Sequence, residues 1–182
     1  MHLLRSVPLV LLLAPTLVAC DRAPSRFETE LRGPIMGTTF SVKVVTAERL
    51  EPARRDEIED RVVAALEGVN ATMSTWLDDS ELSRFNGATT TEPIPLSPDT
   101  LEVIAEALEI GSASGGALDV TVGPLVDLWG FGPAPPPESL PSLETIDEMR
   151  SHTGLELLEV SLEHGWARKQ DAALEVDLSS IA

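Results

Sequence analysis

The chain has little from which a disulfide framework or a thiolate metal site could be built. Its 182 residues include one cysteine, Cys20, and three histidines. One thiol cannot form an internal disulfide, and structural zinc sites draw on several cysteines and histidines. A metal ion bound here must therefore be held mainly by oxygen atoms, which favours a hard cation such as Mg²⁺.

Basic residues are also scarce. The sequence has 13 Lys and Arg against 30 Asp and Glu, which gives a formal net charge of −17. Proteins that bind nucleic acids neutralise backbone phosphates with clustered Lys and Arg, so this balance argues against a nucleic-acid partner. The length suits one domain with a hydrophobic core and is too short for two comfortable ones.

The N-terminus predicts a leader rather than a membrane-spanning helix. Val7–Ala19 is almost wholly apolar but shorter than the roughly 20 residues that cross a bilayer. It ends in LVAC, which resembles the bacterial lipoprotein box. We therefore predict a signal peptide over 1–19, a lipid anchor on Cys20 and a polar tether over 20–33; a plain secretory signal with an incidental cysteine is the alternative. Asp21 resembles the residue that retains such proteins at the inner membrane, which implies its periplasmic face.

Hydrophobic periodicity predicts an α+β domain over 34–182. Helices and neighbouring hairpins follow one another without a βαβ repeat. The predicted helices are Arg54–Val69, a short turn within Asp78–Asn86 capped by Asp79 or Ser80, a helix from Ser97-Pro98 to just before Ser114, and Leu143–Ser151. The predicted strands are Met36–Thr46, Leu157–Leu162, Trp166–Lys169 and Leu174–Leu178, and Gly132–Pro141 is a proline-rich loop.

Three stretches hold residues that suggest a binding site. In GPIMGTTF, Met36 offers a soft apolar surface and Gly37 permits close approach to the backbone. In MSTW, Trp76 exposes apolar area on a polar loop unless a ligand stacks on it. In SGGALDVTVGPLVDLWGFG, glycines near Asp119 expose main-chain N–H groups that can meet a phosphate. Packing alternatives remain open: Met36 as a gap filler, Trp76 as a loop anchor and Asp119 as a turn cap.

Taken in order, these motifs resemble those of the FAD:protein FMN transferase family, the ApbE-like flavin-transferring lipoproteins. The resemblance runs from the lipobox through MGTTF, STW, ELSRFN, GGALDVTVGPLVDLWGFGP and VDLSS. It implies a T-fold-like α+β domain that transfers FMN from FAD to a threonine hydroxyl of a target flavoprotein, with Mg²⁺, as a phosphoester, releasing AMP. Family members are longer, so the resemblance also implies an N-terminal portion that lacks later metal ligands and is inactive alone.

The resemblance assigns roles to seven residues but identifies no catalytic base. Met36 and Trp76 would pack against the flavin, Ala117, Leu118 and Asp119 would line the FAD site, Asp177 would contact FAD, and Ser180 would bind the metal. From the residues alone, Asp177 could equally cap a strand end and Ser180 a following helix. The rival functions are a non-catalytic flavin- or solute-binding periplasmic lipoprotein and a structural envelope lipoprotein.

Overall fold

The computed structural model describes residues 26–181, which begin with an antiparallel hairpin. Strand β1 (Phe27–Ile35) pairs with β2 (Thr38–Thr46) along its full length. Met36 and Gly37 form the two-residue turn, with φ of 48° and 70°. Positive φ at both turn positions matches the twist of the flanking strands. The predicted strand Met36–Thr46 is therefore confirmed except for its first two residues, which are the turn.

The predicted tether is wrong over 27–33, because those residues lie in β1. The main chain of this segment is paired with β2, and Lys43 of β2 lies 2.8 Å from Glu28. Its charged residues Glu28, Glu30 and Arg32 alternate with less polar ones. Only Leu31 of β1 is fully buried. The tether interpretation was wrong because it took a charged segment as aperiodic, although its polar and apolar residues alternate as in a strand. The predicted signal peptide, Cys20 and Asp21 lie outside the described residues.

Five α-helices, a short 3-10 helix (Leu155–Leu157) and a small second sheet complete the described part of the chain. The helices are α1 (Pro52–Met73), α2 (Glu81–Asn86), α3 (Pro98–Ala113), α4 (Gly123–Leu128) and α5 (Leu143–Ser151). The sheet has the order β3-β5-β4, all antiparallel, with β3 (Ile94–Pro95), β4 (Leu158–Ser161) and β5 (Trp166–Lys169). None of the helices within 26–181 combines the length and apolar character needed to cross a membrane. The predicted α+β character is confirmed.

The segment Leu174–Leu178 was predicted as a strand, and it is extended but does not join the sheet. It makes one parallel bridge, between Glu175 and Val122. Leu174, Val176 and Leu178 are fully buried, so the alternation correctly gave the buried face. The segment's main-chain groups bond elsewhere, chiefly to the side chain of Asn86. The alternating pattern therefore indicated which side chains are buried, but not which groups the main chain bonds to.

Helices α2 and α3 are joined by the carboxylate of Glu81. It accepts hydrogen bonds from the main-chain N–H of Ser97 at 2.7 Å and from the hydroxyls of Ser97 and Thr100 at 2.6 Å each. Burial opposes ionisation, but these bonds hold the pKa of Glu81 below its usual value. Ser97 is the N-cap residue as predicted, although its hydroxyl bonds to Glu81 rather than capping α3. The contact ties the first residue of α2 to the N-terminal turn of α3.

Candidate functional site

Met36 and Trp76 line the same two adjoining cavities, of about 300 and 560 Å³. Met36 is at the hairpin tip and Trp76 follows α1, and Asn70 and Ser74 line both cavities beside them. Trp76 is 64% exposed and Met36 is 45% exposed. An indole and a thioether with this much free surface on one cavity can bind an aromatic ring from two sides.

Met36 occupies a backbone conformation that its side chain disfavours. It is the one non-glycine residue with positive φ among residues 26–181. Left-handed backbone costs an L residue roughly 1–2 kcal/mol, and asparagine or glycine is usual at this turn position. Strain of this kind tends to occur at functional sites. The thioether at the hairpin tip is therefore better explained by a ligand than by the turn.

The loop that carries Trp76 is held by hydroxyl groups. The main-chain N–H of Trp76 donates to Ser74 Oγ at 3.1 Å. The carbonyl of Ser74 in turn accepts bonds from the hydroxyls of Ser80 and Ser83 at the start of α2. Ser80 Oγ also accepts from the N–H of Ser83 at 2.9 Å, so that Ser80, of the two predicted candidates Asp79 and Ser80, is the helix cap. The exposed indole thus stands on an ordered loop.

A third cavity, of about 260 Å³, shares Thr75 with the smaller of these two and is acidic. Asp177 lines this acidic cavity, whereas Ser179 lines the smaller cavity at Met36 and Trp76. The other carboxylates along its wall are Asp78, Asp127 and Glu175. The apolar and acidic cavities therefore share Thr75 and one chain segment, an arrangement suited to an elongated ligand with one aromatic end.

The acidic wall is partly desolvated. Burial raises the pKa of Glu175, the charge of Asp127 raises it further, and the charge of Lys169 opposes both. Burial also raises the pKa of Asp127; the main-chain N–H of Ala134 opposes this, and the charge of Asp177 adds to it. These carboxylates hold protons more readily than free ones. When ionised, they repel a phosphate group placed between them.

Glycines of the GPLVDLWGFG motif allow the wall to close. A Cβ at Gly132 would overlap Oδ1 of Asp127, and a Cβ at Gly123 would lie 2.7 Å from the carbonyl oxygen of Glu175. Backbone therefore approaches both carboxyl-bearing residues more closely than any other residue type would permit. The motif's glycines shape the cavity at these two points.

Ala117, Leu118 and Asp119 line none of these three cavities. Oδ1 of Asp119 accepts from the main-chain N–H of Thr121 at 2.8 Å and from its hydroxyl at 2.5 Å, so it caps a turn. The stretch does approach the acidic cavity through its next residue, because the N–H of Asp177 donates to the carbonyl of Val120 at 2.8 Å. A role for these three residues in FAD binding stays a prediction.

The described residues do not form a complete metal site. Ser180 is exposed, and its neighbour Ser179 donates its N–H to Oδ1 of Asp177 at 2.8 Å. Over residues 26–181, no three His, Cys, Asp or Glu side chains are placed to hold a metal ion together. One serine hydroxyl does not satisfy the near-octahedral preference of Mg²⁺. The oxygen-only donor chemistry suits that ion, but the ligand set found here does not.

Sequence reasoning missed Asn86, Asp127, Glu175 and Lys169 as residues of this region. Asn86 and Asp127 lie inside quoted motifs, where their position in ELSRFN and GPLVDLWG was the available signal. Glu175 and Lys169 lie in a segment that reads only as alternating strands. Nothing local distinguishes them, because their neighbours come from distant parts of the chain.

Comparison with known proteins gives one consistent family. The ApbE family model matches residues 36–182. FAD:protein FMN transferase of Vibrio cholerae is 43% identical over 167 residues, which are 91% of this chain and 48% of that protein. The protein of the same name from Escherichia coli is 36% identical over 182 residues, which cover 94% of this chain and 51% of that protein.

Solved structures agree with the sequence comparison. The flavin transferase ApbE from Vibrio cholerae matches with a TM-score of 0.79 at 42% identity, over 86% of this chain and 50% of that one. The apo Pseudomonas stutzeri flavinyl transferase ApbE matches with a TM-score of 0.77 at 32% identity, again over 86% and 50%. The chain thus spans about half the length of these relatives. The sequence match over most of the chain and the shared ApbE-like fold show that the chain belongs to the ApbE family.

Proposed function

We propose that the protein transfers FMN from FAD to a threonine hydroxyl of a target flavoprotein, with Mg²⁺. Its relatives named FAD:protein FMN transferase and flavin transferase support this proposal. The observation that carries the proposal is the cavity lined by Met36 and Trp76. It offers exposed apolar surface at a strained hairpin tip and on an ordered loop. An isoalloxazine ring matches both the shape and the chemistry of this surface.

In the proposed complex, the flavin packs against the indole of Trp76 and the thioether of Met36. Aromatic stacking and sulfur–aromatic contacts both favour this placement. The remainder of FAD then extends past Thr75 towards Asp177, because the acidic cavity begins there. Asp177 would accept hydrogen bonds from hydroxyl or amino groups of FAD, as a carboxylate can.

The transfer itself is a displacement at phosphorus. The threonine oxygen of the target forms a bond to the phosphorus on the FMN side of the pyrophosphate. The bond from that phosphorus to the bridging oxygen breaks, AMP leaves with that oxygen, and the threonine proton is lost. Such reactions depend mainly on positioning and on neutralising phosphate charge. The protein's residues contribute the positioning of the flavin end.

Charge neutralisation is the reason to propose a Mg²⁺ requirement. The pyrophosphate is anionic and adjoins Asp127, Glu175 and Asp177, whose charges oppose it. A divalent cation held by oxygen atoms, with Ser180 as one ligand, would supply the missing positive charge. The described residues do not form the full ligand set of this ion.

We further propose that Cys20 carries the lipid anchor and that the domain faces the periplasm from the inner membrane. The support is the LVAC sequence and Asp21 directly after it. Several acyl chains give firm anchoring, since each buried CH₂ contributes about 0.8 kcal/mol. In the native host, wild type should fractionate with inner membranes and label with palmitate. Cys20→Ala should do neither; a labelled or membrane-bound Cys20→Ala protein would contradict the anchor.

The second candidate is a flavin- or solute-binding periplasmic lipoprotein without catalysis. It is favoured by the absence, within residues 26–181, of three carboxylate, histidine or cysteine side chains grouped for a metal. The Met36 and Trp76 surface would serve this function equally well. The two candidates differ in what they do to a target, and not in whether FAD binds.

The test therefore has two parts. FAD titrated into the chain should quench tryptophan emission saturably and raise flavin polarisation; absence of both would refute flavin binding by this domain. The product of the complete gene is then incubated with FAD, Mg²⁺ and a threonine-bearing target. A target mass gain of one FMN less one water, lost when the acceptor threonine is changed to valine, supports the transferase. FAD binding without that gain supports the binding protein instead.

A further inference from the structure

The chain contains two lysines, and they lie in opposite environments. Lys43 on β2 is solvent-exposed and pairs with Glu28 at 2.8 Å. Lys169, the last residue of β5, is fully buried. Removing an ammonium group from water is costly, so a buried lysine persists only where its surroundings replace the lost hydration.

The partners of Lys169 are main-chain carbonyls. Its Nζ donates to the carbonyl of Asn86 at 2.8 Å and to that of Ala172 at 3.0 Å. The ammonium also lies 5.7 Å from the centre of the Phe85 ring. Lys169 therefore contacts the C-terminal end of α2, at Phe85 and Asn86, from the end of strand β5.

Asn86 connects Lys169 to the wall of the acidic cavity. Its Nδ2 donates to the carbonyl of Val176 at 2.8 Å, and its Oδ1 accepts the N–H of the same residue at 2.8 Å. The side-chain amide of Asn86 thus satisfies both main-chain polar groups of the buried Val176. Glu175 and Asp177, on either side of Val176, line the acidic cavity together with Asn86.

We infer that Lys169 and Asn86 are positioning residues of the ligand site. Lys169 fixes Asn86, and Asn86 fixes the main chain of Val176, so that the carboxyl groups of Glu175 and Asp177 stand at the cavity. Neither residue needs to touch the ligand for this role. The identity of the ligand as FAD rests on the proposed function, whereas the positioning does not.

The charge of Lys169 fits the same role. Burial lowers the pKa of Lys169, and the nearby charges of Glu175 and Asp171 oppose that change. In return, Lys169 counters the rise that burial and Asp127 cause in the pKa of Glu175. Lys169 is the only fully buried charged residue among those that the structure describes. It therefore supplies fixed positive charge behind an acidic wall.

Hydrogen exchange tests the positioning without any ligand. Lys169→Met keeps the length of the side chain and removes its donors, and Lys43→Met makes the same change at an exposed site. We expect the Val176 amide to exchange at least about tenfold faster in Lys169→Met, because loss of a bonding partner lowers local stability. Lys43→Met should match wild type at this amide. Unchanged Val176 exchange in Lys169→Met overturns the inference.

FAD affinity tests what the positioning does. We expect Lys169→Met to bind FAD about tenfold more weakly, Lys169→Arg to recover most of the loss, and Lys43→Met to bind as wild type does. Recovery by arginine is expected because its guanidinium keeps the charge and the donors. Wild-type affinity in Lys169→Met, or equal loss in the methionine and arginine variants, overturns the role of the buried cation.

Asn86→Asp gives an independent test, which also serves if Lys169→Met does not fold. The introduced carboxylate repels the carbonyl of Val176, but its protonated form can donate to that carbonyl and accept the Val176 N–H, as the amide does. The FAD affinity of the variant relative to wild type should therefore rise as pH falls from about 7 to about 5. The charged groups facing position 86 are Lys169, Asp78, Asp127, Glu175 and Asp177.

A constant ratio of affinities across that pH range overturns the role of Asn86, because a general packing defect would not be repaired by a proton. The proposed function fails separately. If wild type binds no FAD at any pH, flavin binding is refuted, and Val176 exchange in the Lys169 and Lys43 variants still decides the positioning.

Discussion

Truncating Trp76 separates a ligand contact from a packing contact, because most of its surface is free. A tryptophan side chain offers roughly 200 Å² for burial. With 64% of the residue exposed, about 130 Å² remain to be covered, and a ring stacked on one face would cover about half, or ~65 Å². At ~25 cal/mol per Å² this amounts to ~1.6 kcal/mol, within the range of ~1–3 kcal/mol measured for stacking on aromatic side chains.

Trp76→Ala should therefore weaken FAD binding about fifteenfold, since ~1.4 kcal/mol corresponds to a factor of ten. Trp76→Phe should retain most of the affinity, because a phenyl ring still stacks. The assay is flavin polarisation at fixed FAD with increasing protein. Urea unfolding, run in parallel, should show a change in the free energy of unfolding below about 1 kcal/mol, as expected for an exposed side chain.

Trp129 provides the matched control. It is 41% exposed and follows α4, and it lines none of the cavities around Met36. Trp129→Ala should leave FAD affinity unchanged. The reasoning is refuted if Trp76→Ala binds FAD as wild type does, or if it loses stability and affinity together while Trp129→Ala does the same. Either result would make the indole of Trp76 a packing residue.

Three further changes test the strained hairpin tip, the Glu81 contact between α2 and α3, and a glycine of the cavity wall. Met36→Asn should raise hairpin stability by about 0.5–1 kcal/mol in urea unfolding, because asparagine accepts positive φ, while FAD affinity falls. Glu81→Gln should cost ~1–2 kcal/mol at neutral pH; because Glu81 has a lowered folded pKa, the difference from wild type should shrink as pH falls below the ordinary value of 4.5. Gly123→Ala should cost ~1–3 kcal/mol in thermal unfolding, because its Cβ would lie 2.7 Å from the main-chain carbonyl oxygen of Glu175, whereas Gly68→Ala, with open space around it, should not destabilise.

Helices were predictable where local chemistry sets their ends. The helix Leu143–Ser151 was predicted with the observed bounds, because Ser142 caps it through the N–H of Thr145. The helix after Ser97 was also predicted, since proline at its first position and small residues past its end are local signals. Helix α4 was missed because its opening Gly123-Pro124 reads as a turn, although proline suits a first helical turn.

Strands were less predictable because their partners lie elsewhere. Strand β1 was missed although its residues alternate, because its charges suggested a solvated tether and its partner β2 lies further along the chain. The opposite error occurred at Leu174–Leu178, where clear alternation gave burial but no sheet. Pairing is a property of two segments, and a single segment's pattern reports only its buried face.

The same distinction holds at the candidate site. Trp76 became a candidate because an indole is a poor choice for a polar loop, and Met36 because of its soft apolar surface within the GPIMGTTF motif; the structure brings both to one cavity. Lys169 did not become a candidate, because a lysine at the end of a short strand is ordinary. Its importance comes from Asn86, 83 positions earlier in the chain, whose carbonyl it binds. Local misfit is visible in a sequence, whereas a long-range hydrogen bond is not.

A protein with a net charge of −17 must compensate that charge before it can hold the pyrophosphate that the proposed function requires. The structure divides that task. Lys169 is fixed behind the wall and acts whether or not a ligand is present, and it works by holding Val176 through Asn86 as much as by its charge. A mobile cation would instead act on the open side of the wall, where the proposed function places the phosphates of FAD. A buried ammonium cannot replace the mobile cation, because it reaches carbonyls of the wall and not the cavity itself. The acidic wall, with Lys169 buried behind it, can therefore stay ordered before the anionic ligand of the proposed function binds.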